Sequence, residues 1–75
     1  MVPQRIEARL KENDVSILLG LAEGLSMKEI AGTMETAPRQ IESRVFWLRK
    51  IFEARTTTQL IAQSYHYGIL RSPHQ

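Results

Sequence analysis

The chain contains no cysteine. That excludes a disulfide framework and any thiolate metal site as a source of stability. Histidine is also scarce. His66 and His74 are the only two, and a useful metal site needs three or four ligands. There is no H-E-x-x-H motif and no glycine-rich phosphate loop. Glu12 with Asp14, or Glu23 with Glu29, would form carboxylate pairs, but on a small helical surface such pairs are expected to face solvent. No enzyme, cofactor or metal is therefore expected. No apolar run approaches transmembrane length, and no signal-peptide core opens the chain. The expected location is cytoplasmic. No internal repeat or low-complexity segment is visible.

What is present is one small domain's worth of sequence, 75 residues of which 43% are hydrophobic. A core of that size relies on helix packing and gains from self-association. The formal net charge is only +2, but it is unevenly spread. Residues 1–38 carry four basic and six acidic side chains, a net of −2. Residues 39–55 carry Arg39, Arg44, Arg49, Lys50 and Arg55 against Glu42 and Glu53, a net of +3. A solvated helix would account for such a run. So would a nucleic-acid surface.

The chain is organised around Leu21 to Lys50. Gly24 has the place of a helix-closing glycine, with Leu25 following as its hydrophobic contact. Ser26 and Glu29 form the S-x-x-E pattern of a capping box, which starts a short helix with Ile30, Ala31 and Met34 inward. Thr36 to Pro38 is a second start signal. From there Ile41, Val45, Leu48 and Phe52 recur at helical spacing. Two helices joined by a turn, the second of them basic, outline a helix-turn-helix DNA reader.

On either side the pattern is simpler. Residues 1–9 read as an arm with room for a closing turn of helix, and Leu10 as its anchor to the core. A first long helix starts at Glu12 or Asn13 and ends near Glu23. Ile17, Leu18 and Leu21 face inward, while Val15 and Leu19 widen the apolar face toward either a broad core or another chain. One of Thr56, Thr57 and Thr58 caps a last helix bearing Leu60, Ile61, Ser64 and Tyr65, and Gly68 closes it. Residues 71–75 are a polar tail. The expected core is Ile17, Leu18, Leu21, Ile30, Ile41, Val45, Leu48 and Ile61.

The stretch LAEGLSMKEIA resembles the signature of the LuxR-type (GerE-like) helix-turn-helix domain, L-L-A-x-G-x-S-N-K-E-I-A. The likeness runs without a gap over residues 10–70. Leu10 stands where that domain begins, Asp14 replaces its glutamate, and Ile17 and Leu18 replace its Val-Leu pair. Ile41, Val45 and Leu48 match later core positions, Thr58 the threonine opening the last helix, and Leu70 the close. The resemblance implies an all-α, four-helix fold whose third helix, about residues 38–52, enters the major groove. It also implies a stand-alone module that forms a homodimer through its last helix, for which exposed positions among Thr57, Leu60, Gln63, Ser64 and Tyr67 are expected.

The departures fall in the reading helix. Ala37 stands where the family often has serine, and Gln40, Ile41, Glu42, Ser43 and Arg44 replace Thr-Val-Lys-x-His. Glu42 puts a carboxylate where a lysine commonly faces DNA, although a carboxylate can accept from cytosine's amino group. Phe46 and Trp47 take positions that are usually polar, and at least one of them is expected to be exposed. Phe46 falls on the DNA-facing side. Trp47 either shares that side or packs against the first or last helix.

Two functions follow as expectations. In the first, the chain is a small DNA-binding regulator. Arg39, Arg44, Arg49 and Lys50 contact phosphates or guanine edges, and Gln40, Glu42, Ser43, Phe46 and Trp47 lie against the bases or beside them. Lys28 and the amides opening the short helix hold the backbone. In the second, it is a protein-binding module of the same fold that pairs with and inhibits a LuxR-type regulator or another partner. Glu42, Phe46 and Trp47 motivate that alternative.

Overall fold

The computed structural model describes residues 4–71. Its elements are α1 (Gln4–Arg9), α2 (Glu12–Ala22), α3 (Met27–Thr33), α4 (Pro38–Ile51) and α5 (Thr57–His66), with no strand among the described residues. The all-α expectation holds. α2 to α5 occupy the stretches expected to be helical, and α1 adds one short helix inside the expected arm. Residues 1–3 and 72–75, parts of the expected arm and tail, lie outside the described residues. No described helix is long and apolar enough to cross a membrane.

Each boundary has a local cause. The Ser26 hydroxyl accepts the Glu29 amide at 3.1 Å, and the Glu29 carboxylate accepts the Ser26 amide at 2.9 Å, so both halves of the box that opens α3 are made. Those bonds from Ser26 hold the Glu29 carboxyl below its ordinary pKa. The Thr56 hydroxyl likewise accepts the Gln59 amide at 3.0 Å and opens α5. α4 starts differently. Its N-cap, Ala37, has no side-chain oxygen to offer, and Pro38 at the first position sets the helical φ instead.

α2, α3, α4 and α5 all end in the same way. The residue after the cap turns to positive φ, and the next amide reaches back to close a Schellman turn, as in Leu25 N–H to the Gly20 carbonyl at 3.0 Å. Gly24 (φ 84) and Gly68 (φ 76) adopt this conformation without strain, whereas Glu35 (φ 54) and Glu53 (φ 55) hold it with a side chain.

The core gathers Ile17, Leu18 and Leu21 of α2, Ile30 and Ala31 of α3, and Ile41, Val45, Leu48 and Ile51 of α4, with Phe52, Leu60 and Leu70. Leu18, Leu48 and Leu60 are fully enclosed, each contributing about 1.5–3 kcal/mol of transfer free energy. Ile6 ties α1 to this core, with Leu10 half-buried beside it. α2 packs against α3, α4 and α5, and α3 packs against α4. The α2–α3 contact is close because Gly20 has no side chain. A Cβ there would lie 2.9 Å from Cγ1 of Ile30.

α5 sits one position from its expected register. Leu60, not Ile61, is its central core residue, and Ser64 is fully enclosed with it. The Ser64 hydroxyl donates to the Leu60 carbonyl at 2.8 Å, which satisfies it inside an apolar setting. Ile61 is half-buried at the edge.

Candidate nucleic-acid interface

α4 is 14 residues long, about 21 Å at 1.5 Å per residue. Ile41, Val45, Leu48 and Ile51 turn inward. The opposite side carries Arg39, Ser43, Phe46 and Lys50 at spacings of four, three and four, one line along the helix, and all four are exposed. Glu42 and Gln40 are exposed on either side of that line. The shape suits the major groove, about 12 Å wide, which admits one α-helix.

Of the expected cations, Arg39 and Lys50 stand on this outer line, and Arg44 does not. Arg44 lies on the flank that meets α2, half-buried, with Nε and Nη2 each donating to the Asp14 carboxylate at 2.6 Å. Asp14 is 1% exposed, and its Oδ2 also accepts the Lys11 amide at 2.7 Å. One carboxylate therefore starts α2 and fastens α4 to it. Burial pushes the Asp14 carboxyl upward, but the Arg44 bonds, the Lys11 amide and the two positive charges outweigh it and hold the group below its ordinary value. The same contact raises Arg44 further. A bidentate, inward guanidinium is not a free phosphate ligand. Arg49 is likewise half-buried and spends Nη2 on the Arg55 carbonyl, closing the α4–α5 connection. Both arginines brace α4 and take no part in its outer line.

The aromatic pair is more open than expected. Phe46 is 59% exposed and Trp47 48%. Trp47 stays half exposed and outside the core. Each ring carries a cation instead: Lys50 Nζ lies 4.5 Å from the Phe46 centroid, and Arg9 Cζ lies 5.8 Å from that of Trp47. Arg9 was missed in the sequence because its side chain belongs to the arm, 38 residues from Trp47. Lys28 is exposed in the first turn of α3, but the Glu29 amide beside it is already taken by Ser26.

No protein-family model, no curated protein and no solved structure matches the chain.

On α5 the positions expected at a dimer surface divide. Leu60 and Ser64 are fully enclosed and offer a partner nothing, because they form the inner line of the helix. Thr57, Gln63 and Tyr67 are half-buried, and the Tyr67 ring lies 6.1 Å from that of Phe52. On α2, Val15 (40%) and Leu19 (46%) remain exposed, so the broad apolar face is not absorbed into the core.

Proposed function

We propose that the chain is a LuxR-type helix-turn-helix regulator that binds double-stranded DNA with α4 in the major groove. The observation that carries this reading is the outer line of α4. Arg39, Ser43, Phe46 and Lys50 point away from the core, while Arg44 and Arg49 brace the helix from behind. Arg39 and Lys50 supply phosphate contacts, Gln40 and Ser43 supply hydrogen bonds to base edges, and Phe46 supplies an apolar contact for a thymine methyl.

The test is binding to random and selected duplexes as a function of salt. Arg39→Ala and Lys50→Ala are each expected to weaken binding to all sequences and lower the salt slope by about one unit. Glu42→Lys is expected to raise non-specific affinity, since it turns a repulsive charge into an attractive one. Phe46→Ala is expected to keep the slope and change preference at thymine-containing steps. Wild-type protein without affinity for any duplex at low salt, with binding restored by Glu42→Lys, would refute DNA as the ligand.

A second reading is favoured by the exposure of Phe46 and Trp47. Aromatics beside arginine and lysine are the composition of protein–protein hot spots. On that reading the chain is a protein-binding module that pairs with a LuxR-type regulator. Phe46→Ala or Trp47→Ala would then abolish the complex, and the cation changes would act mainly on encounter rate.

Homodimerisation through α5 completes the proposal. Of the positions expected there Thr57, Gln63 and Tyr67 stay partly accessible, and Ala62 and Tyr65 are exposed on the outer side of the same helix. A twofold contact presents each substitution twice, so Ala62→Glu is expected to convert dimer to monomer in sedimentation. A wild-type protein that stays monomeric at high concentration would remove this part of the proposal.

A further inference from the structure

We infer that Arg9 and Trp47 act together as a phosphate-contacting unit on one flank of α4, an inference that rests on the DNA-binding reading. The two residues come from opposite ends of the fold's logic. Ile6 is 8% exposed and seats α1 in the core. That seating brings Arg9, in the last turn of α1, to within 5.8 Å of the Trp47 ring. Both side chains are exposed, so neither is placed there by burial.

A helix in the major groove lies between two sugar–phosphate walls, and its two flanks meet different strands. On α4 one flank presents Glu42, which repels phosphate. The other presents Gln40 and Trp47, seven residues apart and therefore on one side of the helix. Arg9 adds the positive charge that this second flank otherwise lacks, because Arg44, which also lies there, is committed to Asp14. The indole N–H is a donor, and a guanidinium resting against an aromatic ring keeps its planar set of donors while losing less freedom on binding. The pair is thus arranged to hold an anion outside the base-reading line, and it widens the footprint by one wall contact contributed by α1.

The experiment is a salt titration of duplex binding with wild type, Arg9→Ala, Trp47→Ala and the double variant. Arg9→Ala is expected to lower the salt slope by about one unit without changing base preference. Trp47→Ala is expected to reduce the slope too, because Arg9 loses the ring that positions it. The double variant is expected to bind within about twofold of the weaker single variant, the non-additivity of two residues that act as one. Arg9→Lys is expected to keep the slope and lose affinity, since it retains charge without the planar fork. Duplex binding by wild type with an unchanged slope in Arg9→Ala would overturn this inference and leave the DNA reading intact. Additive effects of the two single changes would overturn the joint action. Absence of wild-type binding to any duplex would remove the DNA reading and this inference with it.

Discussion

Removing Arg44 is expected to damage the protein more than removing Asp14, and to weaken its gain in stability above pH 4. The asymmetry comes from burial. Asp14 is 1% exposed, whereas the Arg44 side chain is 22% exposed. In Arg44→Met the carboxylate stays enclosed with only the Lys11 amide for company, and breaking a buried pair in this way costs about 3–4 kcal/mol. In Asp14→Asn the amide oxygen still accepts from Lys11, and the freed guanidinium reaches water by rotating outward, so the cost is about 1–2 kcal/mol. The pH dependence follows from the direction of the Asp14 shift. In wild type the folded carboxyl titrates below its unfolded value of about 3.9. Between the two values the unfolded chain binds more protons, so stability rises with pH. The contribution is full above about pH 4 and is lost as pH falls through the folded value. In Arg44→Met the guanidinium's lowering contacts are gone and burial is opposed by Lys11 alone, so the folded carboxyl titrates higher than in wild type and the gain in stability above about pH 4 shrinks. Urea unfolding followed by helix circular dichroism between pH 2.5 and 7 measures both effects. Arg44→Met costing less than Asp14→Asn at pH 7 would refute the burial asymmetry. Wild type and Asp14→Asn losing stability in parallel below pH 4 would refute an ionised, paired Asp14.

Two further outcomes follow from the backbone. Gly20→Ala gains about 1 kcal/mol of helix propensity, yet a Cβ placed 2.9 Å from buried Ile30 forces α2 and α3 apart. Overpacking of about 1–3 kcal/mol is expected to win, so thermal unfolding at a temperature equal to or above that of wild type would show that Ile30 yields freely. Glu35→Gly and Glu53→Gly are each expected to stabilise the fold by about 0.5–1 kcal/mol, since glycine takes their positive φ without the penalty of a side chain. An equal gain from alanine at those positions would show that left-handed strain is not the cause.

The parts legible in the sequence were those with a local cause. Ser26 and Glu29 cap α3 by contacts three residues apart, and Gly24 and Gly68 close helices where the backbone needs positive φ. Inward stripes of α2 and α4 followed from spacing alone, so Ile17, Leu18, Leu21, Ile41, Val45 and Leu48 are all buried. The end of α5 was less legible because Leu60–Ser64 and Ile61–Tyr65 are rival pairs four apart, and a serine satisfied by its own helix's carbonyl does not look like a core residue. Arg44 is hard to place for a different reason. Its charge matched the basic run of α4, while the carboxylate that claims it lies 30 residues away. A signal was nevertheless present. Asp14 lies three, four and seven residues before Ile17, Leu18 and Leu21, inside the inner face of α2. Arg44 lies three residues after Ile41 and four before Leu48, inside that of α4. One charge of each sign in the inner faces of two helices that share a core has few places to go. A lone buried charge costs more than a small domain's spare stability, so the two had to meet. That meeting takes Arg44 out of the exposed charge of α4 and leaves Arg39 and Lys50 on its outer line.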